Sequence, residues 1–355
     1  MKQIRFIALL AGIIILAASC HRRPLHDLEE RVLIKVTIDV DTVSNVMCNI
    51  YNDQIPIPNT NTDMMRVFLY DHETQNQVAQ TFLSDKSYDE NGHQVLSGYM
   101  NISYGNFDFL IYNFDTPNTL IKEENNEDAI QAYTSQAPQS ILPAAAGSKA
   151  DDNTYMGSVI HYQPDHLMVA RERDYHIAPH AELTTIETTA YTVLNTYYIQ
   201  IHVEGLQYVS SCNAVISGLY SGNQFGLDSG MKYVYGKPVS NPSAAVYFKL
   251  EKSTDKNIAG DNKDVLCALF NTFGKIEEQS SDLYVNFNVV DTEGNLLTKQ
   301  VSLDRIFKTE DAIERHWLLI DEAWSIPNPK PNPVGGGGFQ PVVDDWEEQQ
   351  GEIVL

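Results

Sequence analysis

Residues 283–303 read "LYVNFNVVDTEGNLLTKQVSL". On both sides of Asp291–Asn295 apolar and polar residues alternate at period two, the spacing of a strand with one face in a core. Between the two runs "DTEGN" supplies the Asp, Gly and Asn that a tight reversal needs, so this stretch predicts a β-hairpin. The same texture continues outward. "NTYYIQIHVEGL" (195–206), with Tyr198, Ile199, Ile201 and Val203, predicts a buried strand, and "NAVISGL", "AAVYFKLE" and "DVLCALFNTFG" follow it. Nearer the start, "VLIKVTIDV" (32–40) alternates, and "MMRVFLYD" (64–71) and "FDFLIYNFD" (107–115) are aromatic-rich runs suited to the middle of a sheet. Asn91-Gly92 marks another hairpin. Turn clusters recur about every ten residues, the pattern of an all-β sandwich.

The segment 116–155 is polar and rich in Ala, Ser and Gly, and reads as a long connection over the first sandwich, with one short helix near 126–134. The division that follows is a signal peptide (1–19), a tether (20–31), one sandwich domain (32–185) and a second (186–326). A Pro/Gly hinge (327–338) and a tail (339–355) complete it.

The first twenty residues address the chain for export. Lys2 and Arg5 precede the apolar run "FIALLAGIIILAA", and "AASC" ends it. A cysteine directly after small residues matches a bacterial lipobox, in which Cys20 is lipidated and begins the mature chain. A single membrane-spanning helix is the competing reading, for which the apolar run is short. Several acyl chains at about 0.8 kcal/mol per buried CH₂ suffice for stable anchoring.

The net charge of −23 repels nucleic-acid phosphate, so DNA and RNA are discounted as partners. Cys48, Cys212 and Cys267 lack CxxC spacing, which excludes a zinc or redox motif. Cys212 and Cys267 sit in apolar runs, where free thiols and a bridge are equally open. His161, His166, His176 and His180 fall within twenty residues, yet no HExxH frames them, and no metal site is expected. Asp151, Asp152, Asp261 and Asp264 lack the spacing of a calcium loop and read as acidic loop tips. There is no GxSxG, no phosphate loop and no distinctive carboxylate pair, so no catalytic residue is assigned and no cofactor is expected. Trp317 and Trp324 lie in the closing strand "HWLLIDEAW" (316–324) and read as core.

After that strand, "SIPNPKPNPVGGGG" removes backbone donors and then adds a flexible joint. The remainder, "FQPVVDDWEEQQGEIVL", offers Phe339, Val342, Trp346, Ile353 and Leu355 as side chains a neighbouring groove could take up by strand addition. Pro341 interrupts the ladder, and the acids at 344, 345, 347 and 348 suit an edge better than a dry core. Three readings stand open: a docking or donor strand, a strand that completes its own domain, and a disordered acidic tail.

Five features in this order, namely the lipobox, "IKVTIDV", "GNFDFLIYNFDTPNT", "TYYIQIHVEGL" and the "GGGGFQPVVDDWEE" tail, resemble the fimbrial anchor lipoproteins of Bacteroidales, relatives of FimB-type anchors and of the fimbrillin superfamily. The resemblance implies an all-β chain of two tandem transthyretin-like β-sandwich domains with a flexible C-terminal tail. It also implies a lipid on Cys20, an outer-membrane, surface-exposed location, and stalk or accessory subunits of a pilus as partners. In such pili a C-terminal strand of one subunit fills a groove in the next, while an anchor keeps its own first strand. The competing function is a surface glycan-binding lipoprotein of a polysaccharide-uptake system, whose exposed aromatics would stack on sugars.

Overall fold

The computed structural model describes residues 30–38, 50–58, 61–114, 116–138, 154–179, 183–227, 236–276 and 283–329. Their architecture is all-β, as expected, with twenty strands and one short helix, α1 (Glu310–Arg315).

The first body is an eight-stranded sheet, in the order β3-β2-β6-β11-β12-β1-β5-β4, folded on itself. One half holds β2 (Met65–Asp71), β3 (Gln77–Leu83), β6 (Gly105–Asn113) and β11 (Met168–Ile177). The other holds β1 (Glu30–Ile38), β4 (Asp85–Tyr88), β5 (Gln94–Ile102) and β12 (Thr184–Thr192). β12 pairs with β11 at only two positions, Met168↔Thr192 and Val169↔Tyr191, where the sheet turns its corner. At the opposite corner β3 runs through Ser84 into β4, and the backbone of Gly98 on β5 closes against β3. A Cβ at Gly98 would lie 2.7 Å from the Phe82 carbonyl oxygen, so the corner needs a residue without one. Between the halves Val67, Leu69, Phe109, Ile111, Leu96 and Ile186 form a dry core.

Two further sheets build the second body. The larger runs β19-β18-β14-β15-β10-β9, and β16-β17-β13-β20 packs over it. Their strands include β13 (Asn195–Glu204), β14 (Val209–Gln224), β15 (Lys237–Lys249), β16 (Glu251–Ser253), β17 (Val265–Thr272), β18 (Tyr284–Asp291), β19 (Leu296–Ser302) and β20 (Trp317–Ser325). Ile199, Ile201, Phe248, Phe270, Phe287 and Leu318 fill the space between, with Phe248 and Phe270 stacked at 4.5 Å. The "DTEGN" hairpin joins β18 to β19, with Gly294 at φ 82 and three backbone N–H groups turned onto Asp291.

Two expectations from the sequence fail, for one reason. The stretch 116–138 carries no helix. It forms β7 (Thr119–Lys122) and β8 (Gln131–Thr134), and β8 pairs with β14. β9 (Thr154–Tyr155) and β10 (Ser158–Tyr162) follow, with β10 parallel to β15. This region therefore belongs to the second body's sheet. The division at 185/186 also falls inside β12, which stays paired with β1 from Thr184 to Ala190. Among the described residues the strands alternate between bodies three times, because these pairings are nonlocal and leave no periodicity to read. β1 likewise begins at Glu30, inside the stretch assigned to the tether.

The bodies share a core. β6 is buried on both faces: Phe109 and Ile111 point into the first body, Leu110 and Tyr112 out of it. The outward residues, with Phe68 and Tyr70 of β2, meet Ile130, Ala132, Phe225 and Phe273. Tyr112 stacks on Phe68 at 5.7 Å and meets Phe225 edge-on at 5.2 Å. Its hydroxyl donates to Glu124 Oε1 (2.5 Å), which also takes Arg66 Nη1 at 2.8 Å. Contacts between domains are more polar than cores as a rule; this one is packed like an interior.

Candidate functional site: where the chain enters and leaves

The first strand lies in the middle of a sheet. β1 pairs antiparallel with β5 over all nine residues, from Glu30↔Ile102 to Ile38↔Gln94. It pairs in parallel with β12 from Val32↔Thr184 to Ile38↔Ala190. Val32 is fully buried in the first core. Two ladders flank β1, so removing it would open a groove between β5 and β12.

The chain then crosses to the second body. In 50–58, Asn52 Oδ1 accepts the N–H groups of Gln54 (2.8 Å) and Ile55 (2.9 Å), a side-chain turn typical of Asn. Ile50 and Ile55 are thereby buried in the same apolar cluster as Tyr198 and Cys267 of the second body. Trp317 Nε1 donates to the Ile50 carbonyl (3.2 Å) and Gln54 Nε2 to that of Asp255 (3.4 Å). A cavity of about 200 Å³ lies beneath, lined by Gln54, Tyr198, Glu251, Lys256 and Cys267 among others.

At the other end α1 leads into the last strand. Thr309 caps the helix, its Oγ1 accepting the Ala312 N–H at 3.2 Å. β20 then runs parallel to β13, and the Ile326 N–H donates to the Glu204 carbonyl at 2.8 Å. Next to this bond Gly205 has φ +88, and a Cβ there would lie 2.3 Å from the Ile326 carbonyl oxygen. The exit of the chain thus depends on a glycine. Pro327 and Asn328 beyond it are exposed.

Cys20, Phe339, Val342, Trp346, Ile353 and Leu355 all lie outside the described residues, as do Cys48, Asp151, Asp152 and His180. Trp317 and Trp324 are half-buried against the two cores. Cys212 and Cys267 are free thiols; burial pushes the Cys212 thiol up to about 11, so it is a poor nucleophile.

The three described histidines of the 161–180 stretch are held separately. His161 Nδ1 bonds the Thr134 carbonyl (2.8 Å), His176 Nδ1 bonds Asn106 Oδ1 (2.7 Å), and His166 is held below its usual range by burial. Asp261 accepts from Asn257 and Lys263 within its own loop. Among the described residues no group of three or more His, Cys, Asp or Glu side chains could hold a metal ion.

Sequence reasoning missed a buried polar cluster beside the shared core. Asp108 on β6 has no exposed surface and accepts from His72 Nδ1 (2.8 Å), Gln75 Nε2 (3.1 Å) and the Asp174 N–H (2.7 Å). Glu127, equally buried, meets Arg173, whose Nη2 also donates to the Gly226 carbonyl at 2.9 Å. An acid inside the apolar run "FDFLIYNFD" was the only signal available.

Residues 19–236, more than half of the chain, match the family DUF5119, a domain of unknown function. "Putative fimbrium anchoring subunit Fim4B" of Bacteroides ovatus is 22% identical over 370 aligned positions, covering 96% of this chain and 95% of its own. Among solved structures, a "putative adhesin" from Bacteroides ovatus aligns over 88% of this chain and 98% of its own, with 18% identity and a TM-score of 0.53, and so shares the fold. The fimbrial anchor protein Mfa2 of Porphyromonas gingivalis aligns over 82% and 88% at 10% identity, with a TM-score of 0.42. On the family match, this chain belongs to the DUF5119 family.

Proposed function

We propose that this chain is a non-enzymatic cell-surface lipoprotein that fastens a fimbria to the outer membrane. In this reading Cys20 carries the lipid, 1–19 is the removed signal, and the tail 339–355, swung on 327–338, pairs as a strand with a stalk or accessory subunit. Phe339, Val342, Trp346, Ile353 and Leu355 are the docking side chains, and the two bodies are a transthyretin-like pair. The observation that carries the reading is the near end-to-end similarity to a protein named as a fimbrium anchoring subunit. The position of β1 agrees with it: a strand leading directly from a lipidated residue, and paired on both edges, is one the molecule keeps.

Deleting 339–355 tests the docking role. Cells should shed fimbriae into the medium while the truncated protein keeps its melting temperature; full retention of fimbriae would sink the tail's role. Cys20→Ala should move the protein from membranes to the soluble fraction. Co-purification with polysaccharide instead of fimbrial subunits would favour glycan binding.

A further inference from the structure

The end of the first body at which the chain arrives carries two exposed apolar side chains on separate turns. Glu30 of β1 pairs with Ile102 of β5, so the turn at Ser103–Tyr104 sits at that end. Gly105 pairs with Ile177, which places the end of β11 there as well. Val32 pairs with Thr184, so β12 starts beside it, directly after Leu183. Tyr104 is 57% and Leu183 52% exposed. Turn tips are ordinarily occupied by Gly, Pro, Asn, Asp and Ser; neither of these side chains is packed into a core.

We propose that this end of the first body rests on the lipid surface that holds the Cys20 acyl chains, with Tyr104 and Leu183 as its contacts. The inference rests on the assignment of Cys20 as the lipid site. Ten residues separate Cys20 from Glu30, a reach of at most about 35 Å when fully extended and about 17 Å on average for a flexible chain. The turn tips at this end therefore fall within reach of the headgroups. The opposite end of the sheet is one strand length further away, about 30 Å at the usual rise per residue. Tyrosine suits the boundary, with its ring among the upper acyl carbons and its hydroxyl in water.

Of the described side chains near these turns, Glu73 and Asp174 are acidic and His176 is held by Asn106. These acids offer no attraction to anionic headgroups, so the contact is apolar and should withstand salt that screens charge beyond about 10 Å. The acyl chains supply the affinity; the two side chains set the tilt of the body on the surface.

The test uses the full-length lipidated protein in vesicles of phosphatidylethanolamine with a minor fraction of phosphatidylglycerol. Benzoylphenylalanine replaces Tyr104, Leu183 or Tyr88, one at a time. Tyr88 is a matched control, an exposed aromatic (66%) that pairs with Gln94 at the far end of the sheet. After flotation and illumination, lipid adducts should form at 104 and 183 with only background at 88, in low and high salt alike. Protein that floats but gives no adduct at 104 or 183, or as much at 88, overturns the resting contact and leaves the lipid assignment intact. Failure of the parent protein to float overturns the lipid assignment, and the contact with it.

Discussion

Arg173 reaches across the junction of the two bodies to Glu127: its Nη2 lies 3.1 Å from the Oε1 of a carboxylate with no exposed surface. Glu127 also lies beside Asp108, to which it donates a hydrogen bond when protonated. Breaking such an ion pair from one side strands a buried charge, which costs on the order of 3–5 kcal/mol. Arg173→Met should therefore lose stability of that order in urea unfolding at pH 8, and much less at pH 5, where Glu127 takes a proton.

Glu127 also sets a pH dependence. Burial, with the nearby Asp108 charge adding to it and Arg173 opposing, pushes its carboxyl up to about 7 from an ordinary 4.5. An acid whose folded value is raised contributes most below its unfolded value and loses that contribution as pH rises through the folded one. Stability should fall between about pH 4.5 and 7, by up to about 3 kcal/mol at 1.36 kcal/mol per unit. His72, raised by its hydrogen bond to Asp108, acts in the same sense above its ordinary 6.5. Asp108 is held low by hydrogen bonds that outweigh its burial, so its contribution is lost only in more acid solution. Denaturant melts of Glu127→Gln between pH 4 and 8 should be flatter than those of the parent; an unchanged slope would refute the assignment.

The shared aromatic core predicts cooperativity. With Phe68, Tyr70, Leu110 and Tyr112 packed against Ile130, Ala132, Phe225 and Phe273, neither body can unfold without exposing the other's surface. Calorimetry should show one transition whose van't Hoff and calorimetric enthalpies agree. Tyr112→Ala should lower stability by about 3–5 kcal/mol, the usual cost of emptying a large aromatic site. Two resolved transitions in the parent would contradict the fused arrangement.

Gly205 gives a local test at the exit. Gly205→Ala meets a left-handed backbone, costing about 1–2 kcal/mol, and a carbonyl oxygen 2.3 Å away, which forces the Ile326 backbone to shift. Hydrogen exchange at the Ile326 amide, which donates to Glu204, should quicken while exchange across β13 and β17 stays slow.

The central place of β1 supports a complementation experiment. A chain lacking residues 30–38 loses both ladders and the buried Val32. It should be unstable or aggregate alone, and a peptide of that sequence should restore its melting temperature; a reversed-sequence peptide should not.

Local signals read well from the sequence. The period-two runs around "DTEGN" pair across a single turn, while the strands at 195–206 and 107–113 are legible from their apolar texture alone, although their partners lie far along the chain. What the sequence hid is long-range. β10 pairs with β15 some eighty residues on, and the polar run 119–134 becomes strand because β14 offers it an edge. Two of its four acids turn inward, Glu124 to Arg66 and Tyr112 and Glu127 to Arg173, while Glu123 and Asp128 stay exposed. For the side chains proposed to dock, composition suggests only their chemistry, because strand addition is specified by a partner's groove.

A first strand held from both edges also governs how the molecule meets tension. Drag on a filament arriving at Glu30 along the strand axis would load the ladders to β5 and β12 together, in shear, so that many bonds must break at once. An edge strand pulled the same way would be held by one ladder instead of two. If the chain is tied down at Cys20 as proposed, that geometry lets it be pulled hard without unravelling from its fixed end.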